Sequence, residues 1–342
     1  LYIESFAKAP NGVVPWYPEF GDDSGTGTSD SYLRIGATLD GFEGVLTYSY
    51  DAFRFFVTNE VDNSNFIYTH VPDRSASPEV DRGDLTIATM NVLNYFNSPF
   101  GGDDNPLNDN RGAEAFDEFQ VQRSKIVAAI LGLDADIVGL MEIENNGFDT
   151  DSAVVDLVSA LNEQLAPAKQ YAIAKPADAK YVGSDAITSM VIYRRAKVGL
   201  EKIDILAMPR QAVPEEDYPV YFDGDYEDFR PTTKYMRDTL IPTFQINGPR
   251  EKTLSVAVNH FKSKGSTCWE DLQGGYTDDN GRRIYKVEDA DLQGNCEAFR
   301  TAAANYLGEQ LKEYHGYRVI MGDLNAYATE DPLLVLTNRD NA

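Results

Sequence analysis

Five polar residues stand where apolar runs stop. Asn91 follows LTIATM, Glu142 interrupts DIVGLMEI, His260 ends LSVAVN, and Asp323 and Asn325 follow YRVIMG. Each is costly to bury without a partner. One alone would read as a turn residue, because Asn and Asp close turns readily. Four strand ends carrying such groups point to a shared purpose. Asn, Glu and Asp supply hard oxygen donors, which suit Mg2+, Mn2+ or Ca2+ rather than zinc. The chain has no CxxC pair and no HExxH, so a zinc site is not expected.

The elements that must position these residues can be read from periodicity. In 85–96, Leu85, Ile87 and Thr89 alternate with Thr86, Ala88 and Met90, the pattern of a strand. In 116–131, Phe119, Ile126, Val127, Ile130 and Leu131 suit one face of a helix, which Gly132 and the stretch 134–136 should end. A buried strand follows at 137–143 and a second helix at 151–165. Residues 189–194, 239–246, 254–261 and 317–326 read as further strands, with a helix at 296–315 between the last two. This is a mixed α/β domain with polar residues gathered at strand ends, where sites in such folds usually lie. Ahead of it, residues 71–84 carry two prolines and mixed charge without periodicity, the mark of a linker. Short alternating runs from Tyr32 onward, broken at Asp40 and Gly41 and near Asp51, form a small β module.

Composition bounds the function. The 342 residues include 55 acids and 30 bases, a formal net charge of −25. A protein that coats DNA by charge alone needs a cationic face, so that class is disfavoured. A polyanionic partner would require metal ions and a local basic patch. Hydrophobic residues make up 42% and charged residues 25%, a globular balance rather than a disordered one. The longest strongly apolar run, 126–133, is too short to span a bilayer, so neither a membrane-embedded chain nor a membrane partner is expected. The chain starts at Leu1 with no charged segment before an apolar one. A leader is therefore expected to have been removed, or the chain to be part of something longer. Cys268 and Cys296 share one Gly- and Asp-rich stretch. In an oxidising compartment they would close a loop; in the cytosol they would be two ordinary thiols.

In order along 85–335 stand TIATMNVLNYF, RGAEAFDEFQVQRSKIVAAILGLDADIVGLMEIENNG, GSDAITSMVIYR, RDTLIPTF, VAVNHFKSKGS, DLQGNCEAFR and VIMGDLNAY. The set resembles the endonuclease/exonuclease/phosphatase superfamily, the fold of pancreatic-type deoxyribonuclease, and within it the secreted bacterial nucleases. The resemblance implies an α+β fold: a four-layer α/β sandwich over 83–342, preceded over 1–82 by part of a small OB-like β module. It implies that Glu142 and Asp323 bind a divalent cation, Mg2+ or Mn2+ with Ca2+ a further candidate, and that Asn91 joins their cluster. Asn325 would hold the scissile phosphate, His260 would donate to the phosphate or the leaving oxygen, and Arg237 would face a phosphate. Asp185 would orient His260. Cys268 and Cys296 would bound a loop beside the histidine strand, as a disulfide. Lys262 and Lys264 would be phosphate contacts or solvated lysines. The acidic loops 103–110 and 223–229 would hold Ca2+ or be plain solvated loops.

One departure stands out. The family closes on a Ser-Asp-His strand that supplies a second histidine, and none occurs here. Besides His260 there are only His70, which reads as structural, and His315, at a helix C-terminus where the dipole favours a cation. The chain is accordingly expected to be C-terminally incomplete, continuing past Ala342. In the β module, Tyr48, Tyr50, Phe53 and Phe55 would stack bases or form core. The function implied is a secreted, divalent-metal-dependent endonuclease that cuts extracellular DNA with little sequence preference, with RNA a further candidate substrate. The alternatives are a phosphodiesterase or phosphatase for a lipid headgroup or nucleotide, and a nuclease-like binding module without chemistry.

Overall fold

The computed structural model describes residues 2–4, 16, 37–49, 52–62, 65–68, 80–81, 83–107, 110–212, 233–248, 252–272, 276–277, 283–284 and 293–337. Tyr50, His70, the acidic loop 223–229, residues 108–109 and most of the expected linker lie outside them. The chain divides into two compact units, Leu1–Glu79 and Val80–Ala342.

The first unit contains β1 (Tyr2–Glu4), β2 (Ala37–Leu39), β3 (Gly44–Ser49), β4 (Ala52–Val57) and β5 (Phe66–Tyr68). β3 and β4 form an antiparallel hairpin with β1 parallel to β4, and β2 pairs with β5. Trp16, Val57 and Val61 are buried, with Leu39, Phe42 and Phe55 packed on them. Tyr48 and Phe53 face each other across the hairpin at 5.1 Å on its exposed side. Of the aromatics read as base-stackers, Phe55 is therefore core, and Tyr48 and Phe53 are open.

The second unit begins with β6 (Ile87–Tyr95), the short α1 (Ser98–Gly101), α2 (Phe116–Leu133), β7 (Ile137–Glu144), α3 (Ala153–Asn162), β8 (Tyr171–Ile173) and β9 (Ile187–Arg194). Its strands form one sheet in the order β6-β7-β9-β8. Then follow β10 (Val198–Leu206), β11 (Arg210–Ala212), β12 (Thr233–Tyr235), β13 (Thr239–Ile246) and β14 (Thr253–His260). After these come α4 (Trp269–Leu272), β15 (Tyr276–Thr277), β16 (Arg283–Ile284), α5 (Glu297–Leu311), β17 (Tyr317–Asp323) and α6 (Asp331–Thr337). The second sheet runs β10-β13-β14-β17, and β11 and β12 make a small separate two-stranded antiparallel sheet.

The two four-stranded sheets pack face to face because each strand divides its apolar side chains between two sides. Leu240 and Phe244 of β13 and Leu254, Val256 and Val258 of β14 enter the core between the sheets. Ile241 and Ala257, one residue out of phase, join Phe299, Ala303, Ala304 and Leu307 of α5 on the outer side. α2 buries Phe119, Ile126, Val127 and Ile130 against the outer side of the first sheet. The layers are helix, sheet, sheet, helix: the four-layer sandwich that the sequence resemblance implies. At Gly139 of β7 a Cβ would come within 3.0 Å of Val258, so glycine sets how closely the sheets approach.

Most predicted elements stand within a few residues of their expected ends, and the differences have local causes. Gly132 does not stop α2, which runs to Leu133 and ends at Asp134 in the left-handed conformation. β10 is not legible in the periodicity because a bulge between Leu200 and Lys202 shifts the alternation midway.

Cys268 and Cys296 form a disulfide with a Cα–Cα distance of 5.1 Å. Buried Asp271 accepts the backbone N–H of Cys268 at 2.7 Å and that of Cys296 at 3.0 Å, fixing both half-cystines. These three residues are the one close His/Cys/Asp/Glu group among the described residues, and with both sulfurs in the disulfide they offer no thiolate for a metal. The bridge spans 28 positions and should stabilise the fold by about 3–4 kcal/mol through the unfolded state. Urea unfolding of a Cys268→Ser/Cys296→Ser variant should show a loss of that size; an unmoved midpoint would refute it.

Candidate active site

The polar strand ends converge because of how the sheets run. β14 and β17 are parallel with His260 opposite Asp323, so both emerge at one edge of the second sheet. β6 and β7 are parallel in the first sheet with Asn91 opposite Met141, which brings Glu142 alongside. Registers slip between Asn91 and Tyr95 on one side of β7 and between Leu140 and Ile143 on the other. Such bulges re-aim a side chain. Glu142 sits at φ 64°, Leu93 at 57°, Asn94 at 51° and Asn325 at 48°. These are left-handed conformations that non-glycine residues adopt at a cost of about 1–3 kcal/mol each, and they cluster here.

Asn91 is the centre of the cluster. Its Nδ2 donates to Glu142 Oε1 at 2.8 Å and to Asp323 Oδ2 at 3.2 Å, joining the two sheets. Its Oδ1 accepts the Leu93 N–H at 2.9 Å, which holds the amide in this orientation. Glu142 Oε2 accepts the Asn94 N–H at 3.0 Å, and Asp323 Oδ1 accepts the Asn325 N–H at 3.0 Å. Among the described residues neither carboxylate forms an ion pair with Lys or Arg. Two carboxylates thus converge on one amide with their charge uncompensated, and the donor set is hard oxygen. Glu142, Asp323 and, after an amide rotation, Asn91 Oδ1 fit a divalent cation of the Mg2+, Mn2+ or Ca2+ type.

His260 lies next to this cluster, with Nε2 3.8 Å from Glu142 Oε1. It is 4% exposed, and its Nδ1 is buried without a hydrogen-bond partner among the described residues. Burial pushes its pKa down to about 4, Arg237 pushes the same way, and Asp323, Glu142 and Asp185 pull upward. The imidazole is neutral at pH 7. Asn325 donates from Nδ2 to the Phe261 carbonyl at 3.0 Å.

Asp185 does not orient His260. Its two oxygens are taken by guanidiniums, Arg237 Nε at 3.0 Å and Arg111 at 3.2 Å, which outcompete a neutral imidazole for a carboxylate. Arg237 is thereby held in place, and its Nη1 is buried with no hydrogen-bond partner among the described residues. Lys264 is engaged rather than free: it pairs with Glu330 and lies 4.6 Å over the Tyr327 ring. His315 is exposed just ahead of β17, at the end of that strand opposite Asp323. In the loop 103–110, Asn105 is buried and bonded to Glu144 at 3.0 Å.

Positioning residues were less visible in the sequence than the cluster itself. Glu144 is fully buried and accepts the N–H groups of Asn97 and Ser98 at 2.8 and 3.0 Å. Asn145 ties the same strand to the carbonyls of Val182 and Asp185. The run Glu144, Asn145, Asn146 after an apolar strand was the available signal, since buried polar groups demand partners.

No family model matches the chain, and no curated protein matches it. Solved structures do resemble it, and they are of the endonuclease/exonuclease/phosphatase type. The endonuclease/exonuclease/phosphatase from Bacteroides vulgatus is 14% identical with a TM-score of 0.40, over 75% of this chain and 71% of that one. The human Nocturnin catalytic domain with bound sulfate is 15% identical at 0.34, over 62% and 59%. Humanized D. rerio TDP2 is 13% identical at 0.39, over 74% and 66%. The chain spans less than two thirds of the last two. All three scores lie below 0.5, so the chemistry below comes from this chain's own side chains.

Two outcomes follow from this geometry. Gly322, at φ 127°, leaves no room for a Cβ, which would fall within 2.8 Å of the Asn259 backbone nitrogen and closer to its oxygen. Gly322→Ala should cost about 3 kcal/mol in urea unfolding by straining the strand that carries Asp323; parental stability would disprove this. For His260, the unfolded chain binds a proton below pH 6.5 that the folded chain refuses down to about pH 4. Stability of the metal-free protein should therefore fall as pH drops through that window, by on the order of 3 kcal/mol from this residue. Urea unfolding at pH 7 and 4.5 should show a larger acid loss for wild type than for His260→Gln, and equal losses would count against a neutral buried imidazole.

Proposed function

We propose that the chain is a divalent-cation-dependent phosphodiesterase and, more narrowly, a secreted nuclease that cuts extracellular DNA with little sequence preference. The observation that carries the reading is the pair of uncompensated carboxylates, Glu142 and Asp323, joined by one Asn91 amide beside a neutral histidine and a half-free guanidinium. Glu142, Asp323 and Asn91 would hold the cation, which when bound offsets charge on a phosphoryl oxygen and acidifies a bound water. The remaining roles belong to the chain. Arg237, locked by Asp185, presents an N–H without a partner where negative charge would grow on a non-bridging oxygen. Asn325 lies between Asp323 and Phe261 and has a second amide N–H for the same phosphate. His260, neutral at working pH, can accept a proton from an attacking water or donate its single N–H to a phosphoryl oxygen. General acid–base help of this kind contributes on the order of 10²–10⁴ in rate.

The disulfide supports the secreted part of the reading, since such bonds persist in oxidising compartments. No helix among the described residues is long and apolar enough to cross a membrane. Plasmid nicking should require Mg2+ or Mn2+, vanish with chelator, and drop at least 10²-fold in Glu142→Gln and Asp323→Asn, with weakened cation binding by calorimetry. Turnover of a nucleotide or sphingomyelin without plasmid nicking would replace DNA by a small substrate; cation-independent turnover would sink the proposal.

A further inference from the structure

A hollow of about 370 Å³ is lined in part by Tyr181, Ser184, Arg210, Tyr235 and Arg237, the last shared with the site described above. Its position is fixed by the sheet. β13 is antiparallel to β14, so the connector ahead of β13 that carries Met236 and Arg237 meets the end of β14 that carries His260. The Lys262 N–H, two residues past His260, donates to Met236 Sδ at 3.1 Å and holds the connector there. The hollow therefore adjoins the phosphate position assigned above.

Its lining suits one kind of ligand. Arg237 Nη1 is buried with no hydrogen-bond partner among the described residues, a donor that costs free energy until an acceptor arrives. Of the acidic residues of the lining, Asp185 is paired with two arginines, and Asp238 accepts the Met208 N–H at 3.1 Å on one oxygen. Tyr235, at the rim, is 47% exposed although its ring carries the Arg210 guanidinium 5.0 Å from its centroid. A buried anion donor next to an open, cation-backed aromatic ring matches a phosphate joined to a planar base. The chain's net charge of −25 strengthens the case for stacking. A surface so acidic gains little from long-range attraction to a polyanion, whereas base–aromatic stacking does not depend on net charge.

We propose that this hollow is a nucleotide subsite in which Tyr235, backed by Arg210, stacks one base of a single-stranded segment adjoining the scissile phosphate. The base must be unstacked to reach the ring, so the subsite favours single strands over intact duplex. This deepens the nuclease reading and rests on it.

The test compares Tyr235→Ala and Tyr235→Phe on a single-stranded oligonucleotide and on bis(4-nitrophenyl) phosphate. Tyr235→Ala should lower kcat/KM on the oligonucleotide about tenfold, a loss at least fivefold larger than on the small diester, and Tyr235→Phe should restore it. Equal losses on both substrates, or no loss on the oligonucleotide, would overturn the subsite. Ultraviolet crosslinking of a 5-iodouracil oligonucleotide to the Ca2+-supplemented protein reads the same contact without turnover. Crosslinks should map to Tyr235, and their absence there overturns the proposal. A wild-type chain that crosslinks at Tyr235 but cuts no phosphodiester would refute the hydrolase reading while leaving the subsite standing.

Discussion

Two carboxylates brought together with no Lys or Arg partner among the described residues are the constraint to which the rest of the second unit responds. Glu142 comes from the first sheet and Asp323 from the second, and a single amide, Asn91, spans them. Like charges at close range raise the energy of the folded state. The sandwich tolerates them because its apolar faces, from Ile137 to Leu140 on one sheet and Leu254 to Val258 on the other, bury enough surface to hold the layers in register. The site lies at the rim of that core, where backbone leaves the ladder and its N–H groups become available to carboxylates.

Local strain is the other half of the arrangement. Leu93, Asn94, Glu142 and Asn325 all occupy the left-handed region, and two bulges break the ladders on either side of β7. Each departure turns a strand end toward the cluster. Glu144 and Asn145 then anchor the loops that follow, so the strained segment is over-determined by buried hydrogen bonds. The same logic fixes Arg237 through Asp185, a carboxylate that serves a guanidinium rather than the imidazole.

Much of this was legible in the amino-acid sequence. Periodicity located β6, α2, β7, β14, α5 and β17, because their apolar residues repeat at the spacing of one face. The breaks in those runs located Asn91, Glu142, His260, Asp323 and Asn325. What could not be read was anything set by pairing across the fold. β10 hides behind a bulge, and whether Asp185 meets His260 or Arg237 depends on β13 arriving beside β14, far along the chain. The Tyr235 rim depends on a strand pair too short to leave a pattern.

The bridging amide has a further consequence. Because the cluster draws its oxygens from opposite layers, an ion seated there would act as a clasp across the sandwich, tying catalysis to endurance. Any species that binds only the folded form adds RT ln(1 + [L]/Kd), about 2.7 kcal/mol at a hundredfold excess over Kd. Mineral content of the surroundings would then govern how long the folded protein survives, with scarcity of the ion loosening it.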